Sequence, residues 1–314
     1  MNQEKQESQE KQGEYLSGFV AIVGPTNVGK STLLNNLLRT KVSIVTPKPQ
    51  TTRNRILGIY HGDGFQIIFV DTPGIHSYIK TLLNKTMVDT AFSAIKDVDL
   101  ILLMIDAQNP DDPEVEKIIE RMRQFKKPAI LVINKIDLIR KTDLLPMIDE
   151  YKDKYPFEAI VPISALNGDG LDLLLKEIKK YLKPGPMFYP EDMKTDQPKE
   201  FLIAEIIREK IFFFTKQEIP YSCAVDVEFV QRDPEKDMII ISAKIYVETN
   251  SQKKIIIGQS GKMIKKIGQA AREELELVFG KKVYLDLFVR VQKNWTKDPS
   301  VLRRLGYRVS TTPS

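Results

Sequence analysis

Eight residues near the start of the chain, Gly24-Pro25-Thr26-Asn27-Val28-Gly29-Lys30-Ser31, carry the spacing G-x-x-x-x-G-K-[ST]. Their setting is what constrains the fold. An apolar run at 19–23 precedes them, and Leu33, Leu34, Leu37 and Leu38 follow at helical spacing. A strand that runs through a glycine-rich turn into a helix aims several backbone N–H groups, and the positive end of the helix, at one point. That point suits phosphate, so Gly24, Asn27, Val28, Gly29, Lys30, Ser31 and Thr32 are the expected phosphate contacts. Lys30 is expected to bridge the β- and γ-phosphates, and Ser31 to ligate Mg²⁺.

Further short apolar runs at 67–70, 100–105, 129–133 and 159–163 alternate with amphipathic stretches such as Leu171/Leu174/Leu175/Ile178. This alternation predicts a mostly parallel sheet covered on both faces. His61-Gly62-Asp63-Gly64 adds one hairpin and makes the sheet mixed. Residues 183–200 contain four prolines and no apolar period, and read as an extended linker. Beyond them the order becomes helix, two strands, helix, Gly258-Gln259-Ser260-Gly261, helix and strand. The division is a polar tail at 1–15, an α/β nucleotide domain at 16–183, a linker at 184–198, an α+β domain at 199–292 and a basic segment at 293–314. A chain of 314 residues accommodates two such domains at roughly 150 residues each.

Composition removes several classes. One cysteine, Cys223, excludes an intramolecular disulfide, and two histidines leave little for a structural metal centre. No run approaches the roughly 18 apolar residues of a membrane span, and the first fifteen residues lack a signal core, so a cytoplasmic protein is expected. Residues 251–314 carry 14 basic and 5 acidic side chains, net +9, which suits either a polyanion or a solvated charged face.

Three more segments follow the first motif in order. Asp71-Thr72-Pro73-Gly74 ends an apolar run, where Asp71 can reach Mg²⁺ and the Gly74 amide the γ-phosphate. Asn134-Lys135-Ile136-Asp137 ends another. The Asp137 carboxylate can accept from guanine N1–H and its exocyclic amine, a pattern adenine lacks, with the Lys135 stem along the ring. Ser164-Ala165-Leu166 follows the last run, where the Ala165 amide can donate to guanine O6. The four together predict GTP and GDP as ligands.

At this point the chain resembles a translation-factor-class GTPase. Gln50-Thr51-Thr52-Arg53 matches the first switch segment of the group that contains the Era family, and Asp97-Val98-Asp99-Leu100 extends the likeness, which covers nearly the whole chain after the tail. The resemblance implies that Thr52 closes on Mg²⁺, with Thr51 a neighbouring candidate. Ile75 stands where Ras-like enzymes place a water-orienting glutamine, so turnover is expected to be slow and to rest on phosphate positioning by Lys30, on Mg²⁺ met by Thr52, and on some other positive charge. Asn27 is a candidate for holding K⁺, as in related GTPases, or an asparagine suited to a turn.

The second domain resembles a type II KH fold. Gly258, Gln259, Ser260 and Gly261 form its GxxG turn, which with Lys262 and Lys265 is expected to meet RNA phosphates. Ile256, Ile257 and Ile264 are either groove or core. Trp295 and Tyr307, in a basic stretch, are either a stacking platform or a domain edge. The resemblance implies a GTP-hydrolysing switch that binds the 3′ end of 16S rRNA, acts in rRNA processing and small (30S) ribosomal subunit biogenesis and associates weakly with the inner membrane; a monomer is expected. Two rival classes are an RNA-binding module that holds nucleotide only structurally and a switch that docks on lipid or protein. The complete Lys30, Ser31, Thr52, Asp71 set opposes the first, and the GxxG turn opposes the second.

Overall fold

The computed structural model describes residues 14–77, 79–307 and 309; most of the expected polar tail lies outside them. The first domain runs β1 (Leu16–Val23), α1 (Lys30–Leu38), β2 (Ile56–Gly62), β3 (Phe65–Asp71), α2 (Leu82–Lys96), β4 (Leu100–Asp106), α3 (Pro113–Arg123), β5 (Ala129–Asn134), α4 (Lys141–Lys154), β6 (Ala159–Pro162), α5 (Leu171–Lys179) and the short β7 (Lys183–Pro184). The sheet order is β2-β3-β1-β4-β5-β6, with β7 pairing β1. Only the β2–β3 hairpin and β7 are antiparallel. Because β1 is flanked by β3 and β4 in parallel, the turn after it opens at the carboxyl edge, where the chain reverses its direction across the sheet.

Strand residues alternate between two cores. Ala21, Ile68, Ile101 and Leu131 pack under α2, α3 and α4, while Val20, Ile22, Ile67 and Leu102 pack under α1 and α5. Local signals set the helix starts. The Thr81 side chain accepts from the Asn84 amide to cap α2, and Asp112 caps α3 ahead of Pro113.

The second domain comprises α6 (Lys199–Phe214), β8 (Ala224–Asp233), β9 (Met238–Val247), α7 (Asn250–Ile257), α8 (Lys262–Phe279) and β10 (Lys282–Val291), with α9 (Pro299–Arg304) after it. Its sheet is β10-β9-β8, with β9 and β10 parallel. Thr249 and Gln252 form a reciprocal capping box on α7. The core gathers Ile203, Ile207, Ile241, Ile245, Ile256, Ile267 and Leu275.

The proline-rich stretch differs from a free linker. Gln66 accepts from the Phe188 and Tyr189 amides and donates to the Tyr189 carbonyl, the Ile59 amide donates to Lys194, and Phe188 meets Phe19 edge-on. Buried Gln66 offers side-chain partners that the local sequence of the stretch does not reveal, so the stretch lies strapped along the first domain.

Candidate functional site

The first motif folds as expected. Gly29, the N-cap of α1, has φ 101°, and a Cβ there would stand 2.3 Å from Asn134 Nδ2, so only glycine lets α1 start so close to β5. Part of the turn, residues 44–47 and 50–52, Gly74, Asn134, Lys135, Asp137, Leu138 and Leu166 line a cavity of about 430 Å³. Lys30 is buried, with Nζ donating to the Gly24 and Pro25 carbonyls at 3.0 and 2.6 Å. Burial lowers its pKa to about 8, partly opposed by the charge of Asp71. Thr26, Asn27, Gly29, Ser31 and Thr32 also face the cavity, whereas the Val28 side chain is packed into the core.

Four side-chain oxygens converge beside Lys30. Ser31 Oγ donates to Asp71 Oδ2 at 2.7 Å and lies 2.8 Å from Thr52 Oγ1, and Ser43 Oγ donates to Asp71 at 3.1 Å. Asp71 Oδ1 is buried without a hydrogen-bond partner, and burial raises this carboxyl's pKa against the pull of Ser31 and Lys30. A buried carboxylate oxygen with an open lone pair next to two hydroxyls is a hard oxygen donor set, which fits Mg²⁺ and its waters. Of the two threonines, Thr52 is the one in this cluster. Thr51 turns away, its Oγ1 bonded to Thr46 Oγ1 and the Lys48 carbonyl.

At the other end of the cavity Asn134 ties two loops together, donating to the Val28 carbonyl at 2.7 Å and accepting from the Ala165 amide at 2.8 Å. The Ala165 N–H, expected to meet guanine O6, is thus held by Asn134 in this structure, as a buried donor needs a partner. Ser164 is fully buried, and its Oγ accepts from the Asn167 amide. Asp137 lines the cavity from a short 3-10 turn at Ile136–Leu138. Asn27 has φ 63°, in keeping with the turn-former expectation, and its Nδ2 donates to the Pro47 carbonyl of the first switch segment at 3.2 Å. Ile75 is buried, and its amide donates to the Gly24 carbonyl.

The residues flanking Thr52 leave the first domain. The Thr51 carbonyl accepts from Arg208 of α6 at 2.5 Å. Arg53, 3% exposed, donates to the carbonyls of Cys223, Pro220 and Tyr221 at 2.7, 2.8 and 3.0 Å. The Val45 amide donates to Glu209, Lys41 pairs with Glu209 and Glu274, and Lys48 Nζ donates to the carbonyls of Phe212 in α6 and of Thr215 just after it. Leu83 and Met87 of α2 share an apolar cluster with Ala224, Trp295, Leu302 and Tyr307. The sequence motif of the switch names Arg53, but its partners lie about 170 positions away and have no sequence signal.

In the second domain Gly258 has φ 72° and ψ 174°, and a Cβ there would lie 2.6 Å from Met263 Cβ. Gln259 and Ser260 are exposed at the tip, with Lys262 opening α8. Alongside, Ile264, Lys265, Gly268, Gln269, Arg272, Leu285 and Leu287 line an open groove of about 420 Å³. The alternatives left by the sequence separate here. Ile264 faces the groove, Ile256 is fully buried core and Ile257 packs against that core. Trp295 and Tyr307 are 0% and 7% exposed and stack on each other at 6.3 Å between centroids, with Trp295 Nε1 donating to the Ser222 carbonyl. They are a domain edge, not a stacking platform, because apolar α2 covers them.

Comparison with known proteins agrees with both halves. The family model for 50S ribosome-binding GTPases matches residues 19–135, and the KH domain model matches 218–296. GTPase Era of Syntrophus aciditrophicus is 53% identical over 293 residues, covering 93% of this chain and 95% of its own. A single-residue variant of Aquifex aeolicus Era bound to GDP.AlF4- superposes with a TM-score of 0.90 at 47% identity, over 93% of this chain and 99% of that one. Era in complex with MgGDPNP and nucleotides 1506-1542 of 16S ribosomal RNA gives the same score, identity and coverage. Among the described residues no helix is long and apolar enough to cross a membrane.

Proposed function

This chain belongs to the Era family of GTPases, and we propose that it is a GTP-hydrolysing switch whose KH domain binds single-stranded RNA at the 3′ end of 16S rRNA during 30S subunit biogenesis. The observation that carries the switch is Thr52. Its hydroxyl meets Ser31, which is bonded to Asp71, while its neighbours on both sides, Thr51 and Arg53, are held by the second domain. Whatever moves Thr52 therefore moves the contact between nucleotide and RNA domains, and by linkage each site biases the other.

The residues divide the work as follows. Asn27, Gly29, Ser31 and Thr32, which line the cavity, present the phosphate cradle, with Gly24 at the start of the turn, and the Gly74 amide reaches the γ-phosphate. Lys30 exchanges its two carbonyl partners for phosphate oxygens, which restores its full charge. Ser31, Thr52 and Asp71 would hold Mg²⁺; when bound, that ion neutralises charge on the phosphate oxygens. Asp137 reads the guanine edge. Ile75 has no polar atom with which to orient water, which supports slow intrinsic turnover. Asn27, hydrogen-bonded to the Pro47 carbonyl, stands where a K⁺ ion would be shared between the turn and the first switch segment; faster hydrolysis in K⁺ than in Na⁺, lost in Asn27→Ala, tests that role.

RNA phosphates are read at Gln259, Ser260, Gly261, Lys262 and Lys265, and bases in the groove of Ile264, Leu285 and Leu287. A cytoplasmic monomer with peripheral inner-membrane contact completes this reading. The test is binding of a single-stranded 16S 3′-end RNA to the full chain carrying a GTP analogue or GDP. Gln259→Asp with Ser260→Asp places two carboxylates at the exposed tip without touching the core, and loss of RNA affinity with GTPase activity retained is expected. Undiminished RNA binding by that variant would move the RNA site elsewhere.

A further inference from the structure

Behind the base end of the nucleotide cavity stands a carboxylate that none of the four motifs includes. Asp106 is the last residue of β4 and pairs in register with Asn134, the last residue of β5. The Ala107 amide donates to the Asn134 carbonyl at 2.8 Å, so the main chain next to Asp106 clamps the main chain that leads into Lys135. Asp106 Oδ1 accepts from the Gln108 amide at 2.9 Å, which fixes the carboxylate plane. Its Oδ2 is left to accept from Lys135 Nζ at 2.5 Å. Asp106 is not among the residues that line the cavity, whereas Lys135 is.

We infer that Asp106 is a positioning residue for the guanine base, acting through Lys135; this rests on the guanine-nucleotide reading above and deepens it. The main chain of Lys135 is set by its left-handed φ of 66°. A lysine side chain, however, carries four flexible torsions and gives up much rotamer freedom when it is laid along a ring face. The Asp106 bond fixes the ammonium end before the base arrives, and the stem is then held between two anchored ends. With side-chain exposures of 29% and 18%, the pair is too solvated to contribute much to folding. Its effect is expected in binding, where an ordered side chain spares the ligand the cost of ordering it.

The test measures GDP and IDP affinity of the full chain by competition against a fluorescent GDP, for wild type, Asp106→Asn, Lys135→Ala and the double variant. Inosine keeps the ring face but lacks the exocyclic amine read by Asp137. Asp106→Asn is expected to weaken GDP roughly 3- to 10-fold, to weaken IDP in the same proportion, and to leave the thermal midpoint of the nucleotide-free protein near that of wild type. In the Lys135→Ala background the same change is expected to have no further effect. Wild-type affinity in Asp106→Asn, or an equal loss with and without Lys135, would overturn the inference. A wild-type chain that bound GDP no better than ADP would overturn the nucleotide assignment itself.

Discussion

Arg53→Ala removes a guanidinium that satisfies three main-chain carbonyls, those of buried Pro220 and Cys223 and of half-buried Tyr221, at 2.7 to 3.0 Å. Hydrogen bonds to a charged donor are worth about 1.5–3 kcal/mol each, and an orphaned buried acceptor costs a further share unless water reaches it. Arg53 also lies 6.0 Å from the Phe212 ring centroid and 3.4 Å from the Tyr307 hydroxyl, so truncation leaves a void against packed side chains. Water entering that void offsets part of the loss, and a net cost of about 3 kcal/mol is expected. Because Arg53 joins the two domains, the loss falls on their contact more than on either core. Calorimetry of the full chain should show the single unfolding transition broadening or splitting. Amide exchange over 219–224 should accelerate by about 100-fold, since 1.4 kcal/mol corresponds to tenfold. Arg53→Lys keeps the charge but cannot fork to three carbonyls, and should recover less than half of the loss. An Arg53→Ala protein with wild-type unfolding and unchanged exchange at 219–224 would refute the claim that this guanidinium holds the domains together.

Three further outcomes are expected. Asp137→Asn should lose GTP affinity and gain xanthosine nucleotides, because the amide can donate to the xanthine C2 carbonyl; competition binding reads both. Lys30, with a pKa lowered by burial to about 8, is about half charged at pH 8, and phosphate restores the proton. GDP binding should therefore take up about half a proton at pH 8 and almost none from this group at pH 6.5, measured by calorimetry in two buffers of different ionisation enthalpy. By the same sign, the stability contribution of Lys30 in the nucleotide-free protein rises from pH 8 toward 10.5, where the unfolded chain keeps a proton that the folded one has shed. Gly258→Ala should destabilise the chain by more than about 1 kcal/mol, since its φ of 72° and the Met263 backbone 2.8 Å away both oppose a Cβ, whereas Gly261→Ala meets open space and should cost less in thermal melts.

The phosphate turn, the Asp71 and Asn134-to-Asp137 segments, the β2–β3 hairpin and the GxxG turn were all legible in the chain itself. Each is a contiguous stretch whose backbone does the work, so a few residues at fixed spacing suffice to specify it. What the tertiary structure decided depends on partners far apart in sequence. Thr52 was separated from Thr51 only by Ser31 and Asp71 arriving from other elements. The partner of the Ala165 amide is Asn134, 31 positions away, and the choice between stacking platform and domain edge for Trp295 and Tyr307 was made by Leu83 and Met87, which cover them. The proline-rich stretch became a strap because Gln66 and the hairpin edge offered it hydrogen bonds. Arg53, an unremarkable basic residue in a polar loop, became a joint between domains through carbonyls that any sequence would supply. Main-chain acceptors and buried amides leave no mark on composition or periodicity, and only packing determines which side chain reaches them.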